Sequence, residues 1–190
     1  MIDFAIRRLR PSDSLDELTR LLHRAFGELL HAGLDCECAA QTPERTRQRA
    51  ERGECFVAVS AGQAIGTMTL EKADPASSIG AYRDAATASI HQLAVDPSHQ
   101  REGIGRALIG YAASWARARR CDRLALDTPE SARRQVAWYG DRGFDILETV
   151  HVAGRRYASV VLVQRIDGKA PTQAVRRAQL ACGFPVAVRS

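Results

Sequence analysis

No run of apolar residues in this 190-residue chain approaches the roughly 18 that a membrane-spanning helix needs, so a helical membrane protein is not expected. The amino-terminal stretch MIDFAIRRLR has no apolar segment after its charges, which argues against a secretory signal and for a cytoplasmic protein without a membrane partner. Cysteine is sparse and scattered, at positions 36, 38, 55, 121 and 182. Cys36 and Cys38 are two apart, not at the C-x-x-C spacing of zinc or redox sites, so reduced, buried thiols and no metal are expected. Aromatic residues make up only 6%, and the net charge of +5 comes from arginines spread along the chain rather than massed. Nucleic-acid binding needs a clustered basic face; a small acidic ligand fits a mild, diffuse positive bias better. Repeats and low-complexity segments are absent, and two familiar phosphate loops fail. Gly103-Ile104-Gly105 has Leu108 where a Rossmann fingerprint needs its third glycine. Gly105 and Gly110 have Walker spacing but are followed by Tyr111-Ala112.

What is present is a regular alternation of elements. Phe4 to Ile6 reads as a strand. A helix follows from near Ser14, capped by Ser12 or Asp13, with Leu15, Leu18, Leu22, Ala25, Phe26 and Leu29 as its buried stripe and Gly33 as its end. Thr42-Pro43-Glu44 opens a second, polar helix that stops at Gly53. Residues 55–59 and 64–71 form a hairpin about Ala61-Gly62-Gln63, and a loop from Asp74 to Ala85 leads to a strand at 87–95 that Asp96-Pro97 ends. Ile104, Ala107, Leu108, Tyr111 and Trp115 mark a long helix. A strand at 123–127, a helix at 131–142 and strands at 144–150 and 157–165 complete the order β, α, α, β, β, β, α, β, α, β, β. This predicts an α/β fold with a central mixed sheet of about seven strands and four flanking helices. Residues 1–166 are expected to form the domain. Residues 167–190, with one more helix near 172–182, form a tail or dimer arm, so a homodimer is possible.

One short stretch carries the chemistry. Gln100-Arg101-Glu102-Gly103-Ile104-Gly105 stands between a strand and a helix, with Arg101 and Arg106 where the helix dipole disfavours cations. A bound anion accounts for that placement. Glycines at 103 and 105 remove side chains that would block a diphosphate and permit unusual φ values. The amides of Arg101, Gly103, Gly105 and Arg106 can then converge on phosphate oxygens. The stretch matches [QR]-x-x-G-x-[GA] and resembles the signature of the GCN5-related N-acetyltransferase (GNAT) superfamily, which uses acetyl-CoA. "HQLAVDPSHQREGIGRALI", "RLALDT" and "AWYGDRGF" resemble successive parts of that fold, and the likeness covers most of Ile2 to Arg165.

The resemblance implies a twisted, mostly antiparallel sheet and an acetyl-CoA site made by Leu93, Ala94 and Val95, with the backbone of Leu93 and Val95 bonding the pantetheine amides, and by Gln100, Arg101, Glu102, Gly103, Ile104, Gly105 and Arg106. It also implies that Tyr139 stands beside the coenzyme sulfur as the acid. His91 matches half of a histidine pair in the arylalkylamine N-acetyltransferases, with Ser89 in the other place, and is the candidate base; Glu71 and Asp127 are rivals. Many relatives have an asparagine seven residues before the tyrosine, where this chain has Ala132; Ser131 or Thr128 are the substitutes at hand. Acceptor selectivity would lie in 31–41, where Asp35 and Glu37 could attract a cation, and in 151–156, and the loop bearing Ser77, Tyr82 and Arg83 could close over the site. The expected reaction is acetyl transfer to a primary amine of a small molecule, amino acid or peptide. An acyl-CoA sensor and an acyltransferase to a hydroxyl or with a longer acyl donor are the alternatives.

Overall fold

The computed structural model describes residues 2–31, 33–34 and 36–167. Its strands, β1 (Ala5–Arg8), β2 (Glu54–Ser60), β3 (Gln63–Glu71), β4 (Thr87–Val95), β5 (Arg123–Pro129), β6 (Asp145–Val150) and β7 (Ser159–Arg165), are ordered β1-β2-β3-β4-β5-β7-β6 in one mixed sheet. The helices are α1 (Leu15–His31), α2 (Pro43–Glu51), α3 (Gly80–Arg83), α4 (Ile104–Ala118) and α5 (Arg133–Gly140), with 3-10 turns at Glu37–Ala39 and Pro97–His99. The four expected helices and seven strands are present, and α3 is an addition within the loop expected at 74–85. The described residues divide into two compact units, those up to Lys72 with 90–114 and those from 73 to 89 with 115–167. The helix expected near 172–182, Cys182 and the tail beyond Asp167 lie outside the described residues.

In the first unit, β1, β2 and β3 form an antiparallel meander. The β2–β3 turn is Ala61-Gly62, with φ of 46° and 81°, the left-handed pair that a two-residue hairpin of right-handed twist requires. Leu18, Leu21 and Leu22 of α1 are almost fully buried. They pack against Ala50, Cys55, Val57 and Ala94, and each leucine removed from water contributes about 1.5–3 kcal/mol. The cap of α1 differs from expectation. Ser14 Oγ accepts from the Glu17 amide at 3.2 Å, because the Asp13 carboxylate is taken by Arg7 at 2.7 and 2.8 Å and by the Arg10 amide. Thr42 caps α2 through the Arg45 amide, with Pro43 in the first turn as expected.

In the second unit the first residues of β4 run parallel to β5, pairing Thr87–Ser89 with Arg123–Ala125. The other pairs of this unit, β5–β7 and β6–β7, are antiparallel. Ile79, Tyr82, Ala125, Val161 and Val163 form its apolar cluster. Helix α5 is shorter than the expected 131–142. Its start at Ala132 has no side-chain cap, and a turn from Pro129 occupies the preceding residues. Cys36, Cys38, Cys55 and Cys121 are buried and unbridged, as expected.

Candidate active site

In the first unit the expected coenzyme residues occupy the end of β4, the turn after it and the first turn of α4. Gln92, in mid-strand between His91 and Leu93, has φ of 50°. A non-glycine residue in the left-handed region is unfavourable and marks a local break in strand geometry. Its side-chain Nε2 is buried with no hydrogen-bond partner among the described residues. After Val95 the strand is closed by Asp96, whose amide donates to the Ile65 carbonyl at 2.9 Å. Asp96 Oδ1 accepts from the Ser98 amide at 3.1 Å and from its hydroxyl at 2.6 Å. Asp96 Oδ2 accepts both Arg24 Nε at 2.9 Å and Arg24 Nη2 at 2.6 Å. Burial works to raise the Asp96 pKa, but these hydrogen bonds and the Arg24 charge outweigh it and hold the carboxyl below its usual range. Arg24, Asp96, Pro97 and Ser98 line an open cavity of about 680 Å³.

The glycine-rich turn differs in one respect from the sequence reading. Gly103 has φ of 89°, but the other left-handed residue is Arg101, at 65°; Gly105 lies inside the first turn of α4 without a positive φ. At Gly103 the requirement is conformational, since a Cβ there would meet nothing within 4 Å. The Gly103 carbonyl accepts from the Ala107 amide at 3.0 Å and opens the helix. The amides of Ile104, Gly105 and Arg106 therefore belong to the first turn, which has no intrahelical partner to offer them. Left-handed residues alternating with ordinary ones, followed by a helix start, make a concave array of N–H groups suited to an anion. Arg101, Glu102 and Arg106 are exposed around it, and Glu102 pairs with His99 at 3.1 Å.

Two of the three candidate bases are together: His91 Nε2 is 3.9 Å from Glu71 Oε1, and Arg52 Nε is also 3.9 Å from Glu71. The third, Asp127, is in the second unit and is engaged. Its Oδ1 accepts the Tyr82 hydroxyl at 2.9 Å, and its Oδ2 pairs with Arg155, whose Nη1 also donates to Ser159 Oγ at 3.0 Å. Tyr139 belongs to the same unit, on α5. Its ring meets Phe144 at 5.7 Å and Trp138 at 5.1 Å, both edge-on. Burial, and after it the Asp127 charge, push the phenol well above its ordinary pKa, with Arg142 opposing. Ala132, at the place of the missing asparagine, is buried at the start of α5. Of the acceptor-loop acids, Glu37 is paired with Arg45 and Arg49 rather than open to a cation, and Asp35 lies outside the described residues. Among the described residues no three His, Cys, Asp or Glu side chains could hold a metal together, and no helix is long and apolar enough to cross a membrane.

Sequence reasoning missed the Arg24–Asp96 pair and the joining of Tyr82 and Arg155 on Asp127. Asp-Pro-Ser after a strand is a recognisable side-chain-capped turn, which could have singled out Asp96. Nothing in the spacing ties Arg24 to a residue so far along the chain.

Comparison with known proteins agrees with the fold. The family model described as "Acetyltransferase (GNAT) family" matches residues 15–144. The ribosomal-protein-S18-alanine N-acetyltransferase of Escherichia coli is similar at a TM-score of 0.62 and 19% identity, over 88% of this chain and 97% of its own. A GNAT family acetyltransferase from Elizabethkingia anophelis, solved with acetyl-CoA bound, gives 0.60 and 19% over 85% and 97%. A Bacillus subtilis acetyltransferase, solved in complex with CoA, gives 0.59 and 24% over 86% and 99%.

Proposed function

The chain belongs to the acetyltransferase (GNAT) family, and on that premise we propose that it transfers an acetyl group from acetyl-CoA to a primary amine by direct attack in a ternary complex. The observation that carries this reading is the turn in which left-handed Arg101 and Gly103 lead into the bare first turn of α4. Its fit to a diphosphate is geometric and electrostatic: amides of residues 103–106 for the oxygens, Arg101 and Arg106 for the charge. The backbone of Leu93 and Val95, past the Thr87–Ser89 stretch that pairs with β5, would take the pantetheine amides in the manner of an added strand. When bound, the coenzyme supplies an acetyl group activated as a thioester.

The protein's task is then proton management. An amine with a pKa near 10.4 is less than about 0.1% neutral at pH 7, so its proton must be removed or its charge desolvated. His91 takes that proton through water, and the Glu71 carboxylate at 3.9 Å faces the imidazolium that forms. Tyr139 serves the sulfur. A phenol raised above its ordinary value is a poor donor to a departing thiolate whose conjugate thiol has a pKa near 8.5. It therefore gives its proton in concert with bond breaking rather than before it.

The test is acetyl-CoA turnover against a panel of amines. Tyr139→Phe is expected to lower kcat by about 100-fold with CoA affinity retained, and His91→Gln to lower it comparably at neutral pH. If Asp127→Asn abolishes turnover while His91→Gln leaves it intact, the base is Asp127. Tight CoA binding with no turnover on any amine would make the protein a sensor.

A further inference from the structure

We propose that Arg24 is a positioning residue for coenzyme capture: by forking onto Asp96 it fixes the start of the turn whose amides receive the diphosphate. The inference rests on the reading of that turn given above. Asp96 is the residue that joins β4 to the turn, and its polar atoms are all committed. Three of these are its amide, tied to Ile65 of β3, Oδ1, tied to Ser98, and Oδ2, tied to Arg24 Nε and Nη2 on α1; a fourth, its carbonyl, accepts from the His99 amide. The carboxylate is buried, the residue being 7% exposed. Arg24 itself is about half exposed, at 52% of its side chain, and faces the open cavity it shares with Asp96, Pro97 and Ser98. Its loss would remove little packing and would leave an uncompensated buried charge.

That charge has two remedies, and both disturb the turn. The carboxylate can swing toward water, which breaks the Ser98 cap, or take a proton, which weakens it. The turn depends on outside anchorage, because Arg101 holds a left-handed conformation that arginine disfavours. A turn less often in its receptive shape lowers apparent coenzyme affinity by the fraction lost. The catalytic step, once the coenzyme is bound, is untouched, because Arg24 is assigned no contact with reacting groups.

The experiment measures CoA binding by calorimetry and steady-state kinetics for the wild-type chain, Arg24→Met, Arg24→Lys and Asp96→Asn. Arg24→Met is expected to raise Kd and the acetyl-CoA KM about tenfold while kcat at saturation stays within about twofold. Arg24→Lys, which keeps the charge without the fork, should fall between, and it carries the test if Arg24→Met does not fold. Asp96→Asn added to Arg24→Met should cost little more than either change alone. Unchanged KM in Arg24→Met or Arg24→Lys, or a fall in kcat and melting temperature without a rise in KM, overturns the inference while wild-type binding preserves the reading of the turn. A wild-type chain that does not bind CoA overturns both.

Discussion

At the scale of single residues, burial and then the Asp127 charge set how firmly Tyr139 holds its proton. Burial raises the phenol's pKa first, Asp127 adds to the rise, and Arg142 partly offsets it. Because the folded pKa lies above the unfolded value of about 10, the protonated acid persists through neutral and mildly alkaline pH. The stability linked to this proton is complete below about pH 10 and is lost as pH climbs through the folded value. Replacing Asp127 with Asn removes the one charge that adds to the rise. The Tyr139 pKa should therefore fall in Asp127→Asn. The tyrosinate absorbance titration, differenced against the same variant carrying Tyr139→Phe, measures it. An unchanged or raised value would show that burial alone sets the proton affinity. Tyr139 was legible because it stands in a recognisable segment; its hold on the proton was not, since that comes from burial and from Asp127 on β5.

At the scale of elements, the first turn of α4 sits in a notch made by a missing side chain. A Cβ on Gly66 of β3 would lie 3.1 Å from Ile104 Cγ2, 3.2 Å from the Ala94 carbonyl oxygen and 3.3 Å from Leu108 Cδ1. The two side-chain atoms can yield slightly, but the β4 carbonyl cannot move without moving the strand. Gly66→Ala is expected to cost about 1–3 kcal/mol and, by displacing Ile104, to weaken CoA binding as well. Thermal melting and CoA titration of the variant check this together. Full stability with full affinity would mean that α4 is not seated by that notch. The sequence shows Gly66 only as one glycine within a strand; its purpose appears when α4 is laid over β3. The long helices were legible because their leucines and alanines recur at three and four residues. α3, four residues long, is too short for any such period. The cap of α1 was misread because a better-placed partner, Arg7 on β1, had claimed Asp13.

At the scale of the whole molecule, the order of elements could be read from the chain, but the division into two units could not. Of its three boundaries, one falls in the loop after β3, between Lys72 and Ala73, one inside β4, between Ser89 and Ile90, and one inside α4, between Ser114 and Trp115. The two inside elements lack the glycine, proline or polar run that marks a linker, because the chain does not stop forming structure there; only the loop after β3, with Pro75, Ser77 and Ser78, has one. The insertion of β7 between β5 and β6 was equally hidden, being settled by pairing across the sheet rather than by local pattern. The shared elements have a thermodynamic consequence. Unfolding the first unit alone would strip Ile90–Val95 from a strand whose first residues pair with β5. It would also end α4 in mid-helix, at the cost of helix cooperativity. The two units should therefore unfold together. Trp115 and Trp138 are the chain's two tryptophans and both lie in the second unit, whereas far-ultraviolet dichroism reports both units. Urea curves from the two probes should superimpose. Acetyl-CoA at about 100 times its Kd should move both by the same amount, close to 2.7 kcal/mol, although the proposed diphosphate turn is in the first unit. A fluorescence transition that ignores the coenzyme while the dichroism curve shifts would show that β4 and α4 do not couple the units.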